Sequence, residues 1–352
     1  VNLIGEHTDY NAGFALPLAI ELGCTATVEL TRDDTVVATS AQQSAPASAA
    51  LSDLYAVPAW ARYVSGVVWA LQQHGVPVPG LRISVDSSVP AGAGLSSSAA
   101  LICSVATAID DLLGLDLSMD DLLAITRSAE NDFVGAPTGG LDQLAALRSE
   151  AGHALLCDFA EGIARPVPFD LDAAGLAVLV IDTGAPHSHA SGEYAARRAD
   201  CERAARELGV ASLREIDVDE LPNALIRLES EPVWRYVRHV VTENDRVLQT
   251  FTRLDRGDLA SIGPLLTASH ASLRDDFQVS TDRLDVVVEA ALDAGAYGAR
   301  MTGGGFGGCA IALLETGLVD HCRDAVAAAC AARDFPAPTV LRTSAGPGAH
   351  PL

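Results

Sequence analysis

Two apolar runs bracket a knot of polar residues at the start of the chain. Val1, Leu3 and Ile4 make a strand-like beginning, a second apolar run covers residues 14–20, and Glu6, His7 and Asp9 lie between them. Farther on, LRISVDSSV (81–89) reads as a strand, and the small-residue loop PAGAG follows it. The period then changes. In SSSAALICSVATAIDDLLG (96–114), Leu101, Val105, Ile109 and Leu112 fall on one helical face, and Gly114 marks the end. Ser118 can cap a further helix, with Asp121 three residues on as the acidic half of a capping box. That helix runs through LLAITRSAENDFV to the breaker-rich GAPTGG (135–140), and GHALLCDF and LAVLVIDTG read as strands. The second half is mostly helical. EYAARRADCERAARELG (193–209) is a charged amphipathic helix, and longer helical patterns fill 220–294. A short strand near 297–301, GGGFGG, the strand-like CAIALLE, the helix VDHCRDAVAAACAARD and a closing strand PTVLRT complete the chain. This change of pattern places a domain boundary near 175–185. No internal repeat is visible.

Composition narrows the class. The 352 residues suffice for two domains or one large one, and 49% hydrophobic with 20% charged residues argues against long disorder. A net charge of −23 disfavours non-specific binding to nucleic acid or to an acidic membrane. All 23 basic residues are arginine. The absence of lysine excludes a Walker A lysine, a Schiff-base lysine and a lysine general base. The seven cysteines are scattered without C-x-x-C spacing, which reads as buried thiols in a reducing cytosol. No stretch approaches the ~18–20 apolar residues of a membrane span, and no signal peptide is visible.

Three constellations carry candidate chemistry. VPAGAGLSSSAAL (89–101) joins a strand to a long helix through small residues. Its glycines, the unpaired N–H groups of the helix start and the macrodipole suit a phosphate, and its serines suit phosphate oxygens or Mg²⁺. A tight strand–helix connection with a serine cap is the plainer alternative. In AENDFVGAPTGGLDQLAAL (129–147), Glu130 precedes Asp142 by twelve residues across a glycine turn. One carboxylate could hold Mg²⁺ while the other takes a hydroxyl proton, or Asp142 could simply be a helix N-cap. RMTGGGFGGCAIAL (300–313) could wrap a ligand or be a hairpin; GGGFGG leads into a strand, so it lacks the context of a dinucleotide fingerprint.

In this order and at these separations, the motifs resemble those of the GHMP small-molecule kinase superfamily. The opening, VNLIGEHTDYNAGFALP, is similar to the signature of its galactokinase branch. WARYVSG (60–66), AENDFVGAPTGGLDQ, ASGEYAARRADCE (190–202) and RTSAG (342–346) extend the likeness over essentially the whole chain. The resemblance implies a bacterial member with an α+β, two-lobed GHMP kinase fold. Its N-terminal lobe, residues 1–178, would be ribosomal-protein-S5-domain-2-like and carry the sugar signature, phosphate loop and catalytic aspartate. Its C-terminal lobe, residues 179–352, would be ferredoxin-like α/β and carry the glycine-rich third motif, with the last strand returning to the first lobe and the active site in the cleft. It further implies a kinase that moves the ATP γ-phosphoryl group to the 1-hydroxyl of D-galactose. Glu6, His7, Asp9, Gly139 and Tyr194 would contact the sugar, and Asp142 would be catalytic. Gly92, Gly94, Ser96, Ser97 and Ser98 would form the phosphate loop, Trp60 and Tyr63 would lie near the adenine, and Ser98 and Glu130 would be associated with Mg²⁺. The implied partners are small molecules, without nucleic acid or membrane, for a cytoplasmic monomer or weak homodimer.

Thr138 and Leu141 depart from the branch, where many members have Cys and Met. The signature also continues upstream as Gly-Arg before Val1, so the chain reads as a fragment whose arginine precedes the first residue. Related sugar kinases for N-acetylgalactosamine or arabinose share these motifs. Non-catalytic sugar sensors lose the Ser-Ala pair that Ser98 and Ala99 provide here. A dinucleotide oxidoreductase lacks a matching fingerprint.

Overall fold

The structure is a computed structural model. It describes residues 1–352 except 91, 93, 137, 186–189 and 229–230, and the side chains of 190, 191 and 231. Ala91 and Ala93 of the PAGAG loop and Pro137 of the GAPTGG loop therefore lie outside the described residues. In chain order the first elements are β1 (Phe14–Ala15), β2 (Cys24–Leu30), β3 (Thr35–Ser40), β4 (Ala47–Ala50), α1 (Ala59–Gln73) and β5 (Leu81–Ser87). Next come α2 (Ser97–Leu113), α3 (Met119–Ser128), a π-helical turn (Ala129–Val134), α4 (Leu141–Arg148), β6 (His153–Asp158), β7 (Ile163–Pro168) and β8 (Leu176–Asp182). The remainder holds α5 (Ala190–Leu208), α6 (Leu221–Ile226), α7 (Glu231–Asp255), α8 (Gly263–Asp275) and α9 (Asp282–Asp293). The chain closes with β9 (Gly298–Thr302), β10 (Cys309–Glu315), α10 (Val319–Ala331) and β11 (Thr339–Thr343).

These elements form two compact units that are discontinuous in sequence. One comprises residues 1–21, 92–95 and 150–346; the other comprises 22–91, 96–149 and 347–352. Residue 178 falls inside β8, so a cut there passes through a strand. The last strand does not leave for another sheet: β11 pairs with β8 in the first unit, and only the tail 347–352 is grouped with the second.

The first unit is built on an antiparallel sheet of order β11-β8-β10-β9. β8 and β10 read as continuous apolar runs because both of their faces are buried, every residue of CAIALLE except Glu315 being inside. α9, α10 and the inner faces of α5 and α7 pack with this sheet into one core. A second sheet, β1-β6-β7, has β7 at its edge. The sequence IARPVP gave no strand signal because of its two prolines, which an edge position tolerates. The strand-like start is not a strand. Asn2 and Pro17 form an isolated bridge, and Leu3 and Leu16 bond across it, Leu3 N–H donating to Leu16 O at 2.9 Å.

In the second unit the sheet order is β2-β5-β3-β4, with β3 and β5 parallel and the other pairs antiparallel. β5 buries Leu81, Ile83 and Val85 on alternate positions. α1, α2 and α3 contribute to the core beneath it. α2 ends at Gly114 as expected, but its buried face is Ala99, Ile102, Cys103, Val105, Ala106 and Ile109, and Leu112 is exposed. Leu101 packs only at the edge of this core, and Ala99, Cys103 and Ala106 join the larger side chains on the inward face. Ser118 caps α3 in a full capping box with Asp121. Past Ser128 the helix does not simply continue: residues 129–134 widen into the π turn.

A close approach anchors the third motif. A Cβ on Gly298, at the start of β9, would lie 2.0 Å from the carbonyl oxygen of Gly263 at the start of α8. Gly298→Ala is expected to lower stability by about 1–3 kcal/mol or more through overpacking. Gly317→Ala, where nothing lies within 4 Å, should be nearly neutral. Thermal unfolding of the two variants checks this; equal melting temperatures would refute it.

Candidate active site

In the first unit the chain turns sharply at Gly5, whose φ of +100° is open to glycine. A Cβ there would also strike Phe14 O at 2.6 Å and Ala15 Cα at 2.7 Å. The turn delivers two polar side chains in succession. Glu6 is buried, and its Oε1 accepts from Gly303 N–H at 2.8 Å, from the Thr302 hydroxyl at 3.2 Å and from Arg300 Nη1 at 3.4 Å. Arg300, at 0% exposure, also donates to the carbonyls of Asn2 (3.3 Å) and Leu3 (3.1 Å). A buried carboxylate and guanidinium persist only when they are paired and hydrogen-bonded.

His7 follows in a left-handed conformation, φ 62°, rare for a side-chain-bearing residue. Asn11 Nδ2 holds its carbonyl at 2.8 Å. Its ring packs against Phe277 (4.6 Å between centroids) and Tyr194 (5.3 Å), and its Nδ1 lies 3.0 Å from the Tyr10 hydroxyl. Burial, helped by the nearby His239, Arg197 and Arg300, lowers its pKa to about 3, so the ring is neutral. Its Nε2 has no hydrogen-bond partner among the described residues, although the Gly304 backbone is near enough to pull the pKa back upward. Tyr194, half-buried on α5, lies beside Gly304, where a Cβ would come within 3.3 Å of its ring. Asp9 opens a short 3₁₀ turn and is half-buried. The structure thus brings Glu6, His7 and Tyr194 around one polar spot, lined by the glycines of the third motif. GGGFGG is at once the hairpin between β9 and β10 and part of that lining. Gly92 and Gly94, exposed with φ near +75°, are grouped with this unit.

The second unit gathers the acidic residues. Ser96 stands at the N-cap of α2 in a left-handed conformation, and its hydroxyl makes no cap bond. Ser97 and Ser98 form the first turn, half-buried, among N–H groups that lack helical partners. Glu130 lies in the π turn and is buried. Burial, with the charge of Asp142 adding to it, raises its pKa to about 7, and hydrogen bonds from Ser98 and Gln143 only partly offset this. Gln143, fully buried, donates Nε2 to Glu130 Oε2. Asp142 sits in the first turn of α4, whose N-cap is Gly140, so Asp142 is not the cap. Gly139 is half-buried in the preceding loop, which Asn131 fixes by accepting from Thr138 N–H and the Thr138 hydroxyl, both at 3.0 Å, and donating to Thr138 O at 3.1 Å. The departure to Thr at 138 is thereby absorbed into the loop's own bonding. Trp60 and Tyr63 lie on the first turns of α1, half-buried against the core, and Tyr63 is close enough for Glu130 to raise its pKa after burial has done so. Ser98, Glu130, Asp142 and Tyr63 are thus one neighbourhood.

Sequence reading missed Arg300, Thr302, Gln143 and Tyr10, and also missed His239, Glu243 and Asn244 of α7. A signal for the last group existed. In VRHVVTENDRV, His239 and Glu243 interrupt the apolar stripe of Val237, Val240, Val241 and Val247.

Among known proteins, the chain matches the family models "GHMP kinases N terminal domain" over residues 62–150 and "GHMP kinases C terminal" over 250–332. It matches the "Galactokinase galactose-binding signature" over 1–30. Fold and site together define a GHMP kinase. The galactokinase of Streptomyces coelicolor is 47% identical over 100% of this chain and 92% of its own length. That of Mycobacterium tuberculosis is 46% identical over 99% and 96%. The crystal structure of Lactococcus lactis galactokinase complexed with galactose superposes with a TM-score of 0.95 at 32% identity, covering 100% of this chain and 92% of that one. The chain belongs to the galactokinase family.

Two buried histidines, His7 and His239, make the first unit acid-labile. Burial lowers the pKa of His239, as it does that of His7, in this case to about 4. Below about 6.5 the unfolded rings take up protons that the folded rings refuse, so stability falls as pH drops from 6.5 toward 4. The loss is on the order of 1.4 kcal/mol per pH unit for each histidine. Urea unfolding at pH 7, 6 and 5 should show a falling midpoint that His239→Gln flattens; an unchanged midpoint would contradict the burial argument.

Proposed function

We propose that this protein catalyses the galactokinase reaction, moving the γ-phosphoryl group of ATP to the 1-hydroxyl of α-D-galactose to give galactose 1-phosphate and ADP. The observation that carries the reading is the match to the galactose-binding signature over 1–30, which falls on the buried Gly5–Glu6–His7 turn. Glu6, His7, Asp9 and Tyr194 hold sugar hydroxyls in this reading, and Gly139 adds a backbone contact. A neutral His7 can donate or accept, whereas an imidazolium could only donate. A site that satisfies particular hydroxyls penalises an epimer that leaves its buried groups unpaired, by up to ~10⁴-fold or more.

Asp142 takes the proton from the 1-hydroxyl. In the loose transition state of phosphoryl transfer that proton leaves late, so a carboxylate of ordinary basicity suffices, and base assistance is typically worth ~10²–10⁴-fold. The glycines at 92 and 94 and the serines at 96–98 receive the phosphates through backbone N–H groups and hydroxyls, the route open to a chain without lysine. Trp60 and Tyr63 lie on the adenine side.

Glu130 and Ser98 fit a Mg²⁺ ion. Both present oxygen, and burial together with the Asp142 charge raises the pKa of Glu130, a penalty on its anion that a bound cation would offset. Among the described residues no group of three or more acidic, His or Cys side chains could hold a metal. That agrees with Mg²⁺, which usually takes one or two carboxylates together with waters and substrate phosphates. When bound, Mg²⁺ neutralises charge on the phosphates. Among the described residues no helix is long and apolar enough to cross a membrane, and Cys24, Cys103, Cys201, Cys322 and Cys330 are free thiols. We place the protein in the cytoplasm, acting on small molecules as a monomer or weak homodimer.

Asp142→Asn should lower turnover by at least ~10²-fold with the melting temperature held, since the side chain is half-buried and isosteric. ADP release across galactose, N-acetylgalactosamine and arabinose reads both the loss and the preferred sugar. Turnover of the variant within a few-fold of the parent would remove Asp142 from the role of base.

A further inference from the structure

α7 grips the signature turn from behind. His239 Nε2 donates to the carbonyl of Glu6 at 3.1 Å, Glu243 Oε1 accepts from Gly5 N–H at 3.0 Å, and Asn244 Oδ1 accepts from Phe14 N–H at 2.9 Å. Residues 239 and 243 are one helical turn apart and share a face, while 244 projects about 100° farther round the helix and reaches the adjacent Phe14. All three are buried, within a stripe that is otherwise valine. Polar groups in such a place are costly unless fully paired, and here the pairing goes to backbone atoms of the loop.

The grip is itself braced. Ser269 Oγ donates to Glu243 Oε1 at 2.6 Å and Arg246 Nε to Glu243 Oε2 at 2.7 Å. Burial alone would raise the Glu243 pKa, but Arg246, His239, Arg300 and Ser269 together bring it down to about 2, so it is an anion at neutral pH. Ser272 Oγ lies 2.9 Å from His239 Nδ1. The Glu6 carbonyl can only accept, so His239 carries its proton on Nε2 and its Nδ1 accepts a hydrogen bond from the Ser272 hydroxyl. The fit at Asn244 leaves no slack, since a Cβ on Gly13 would lie 2.3 Å from its Oδ1.

We propose that His239, Glu243 and Asn244 are positioning residues for sugar binding, which clamp the backbone at Gly5, Glu6 and Phe14 and so fix how Glu6 and His7 meet the sugar. The inference rests on the galactose reading above. These side chains touch no substrate; they act through the turn. Recognition of hydroxyls needs its groups within ~0.5 Å of the productive geometry, and a displacement of ~1 Å can cost ~10²-fold. The clamp bonds to none of the groups assigned to ATP, so loosening it weakens the sugar and spares the nucleotide.

The test uses the full-length protein, with galactose KM and ATP KM measured separately and galactose binding titrated calorimetrically without ATP. Glu243→Ala should raise galactose KM and Kd by about tenfold or more with ATP KM unchanged. Glu243→Gln should recover most of this, because its carbonyl can still accept from Gly5 N–H. Val240→Ala, a core truncation on the same helix, should lower the melting temperature and leave galactose KM alone. A galactose KM that stays put in Glu243→Ala overturns the proposal, as does one that rises together with ATP KM, or one that rises equally in Val240→Ala. If Glu243→Ala fails to fold, Glu243→Gln and Asn244→Ala decide: a smaller rise in each supports the clamp, and parental values in both refute it. A parent protein that binds galactose without phosphorylating it refutes the reaction instead, and the calorimetric titration still judges the clamp.

Discussion

The architecture of the first unit turns on one buried carboxylate oxygen. Glu6 Oε1 accepts from the Gly303 amide and lies within reach of the Thr302 hydroxyl and Arg300 guanidinium. Those contacts join the sixth residue to a hairpin nearly three hundred residues later. An ionised carboxyl taken out of water without partners would cost several kcal/mol, so the turn and the hairpin stand or fall together. Arg300 extends the tie to the carbonyls of Asn2 and Leu3, and α7 closes it from the other side through the Glu6 carbonyl and the Gly5 amide. Strain enters here as well, at His7, whose left-handed backbone is held by Asn11, Thr8 and their neighbours. Strained backbone persists only where the surroundings over-determine it.

Chemistry is divided between the units by electrostatic character. The first surrounds its polar spot with aromatic rings and keeps His7 and His239 neutral, a setting for uncharged hydroxyls. The second concentrates carboxylates and unpaired helix N–H groups, a setting for phosphates and a hard cation. The π turn at 129–134 matters to that second arrangement. One widened turn places Glu130 inward beside Ser98 and Gln143, while Phe133 stacks under Tyr55 at 4.1 Å between ring centroids. Such turns recur at functional sites because they re-aim side chains that a regular helix would align elsewhere.

Much of this was legible in the sequence, for reasons that differ by element. The capping box at Ser118, the end of α2 at Gly114 and the apolar strands 176–182 and 309–315 are local signals, and local chemistry decided them. The inward face of α2 was read correctly at Val105 and Ile109 but misplaced at Leu112, and it also includes the small residues Ala99, Cys103 and Ala106. Strands 24–30, 35–40 and 47–50 and the proline-bearing 163–168 depend on tertiary pairing and left no strong pattern. The site residues implied by resemblance fall into two neighbourhoods, Glu6 with His7 and Tyr194, and Ser98 with Glu130 and Asp142. Residues that act on them from a distance in sequence, Arg300 and Glu243 above all, bond to backbone atoms, and backbone partners leave no trace in residue identity.

Phosphorus NMR of the full-length protein incubated with ATP, Mg²⁺ and galactose addresses the central claim most directly. The account predicts loss of the γ-phosphate signal with matching growth of ADP and of a sugar phosphate coupled to the anomeric proton, identifying galactose 1-phosphate. ATP left intact, or a phosphate attached to any other hydroxyl of the sugar, would contradict it.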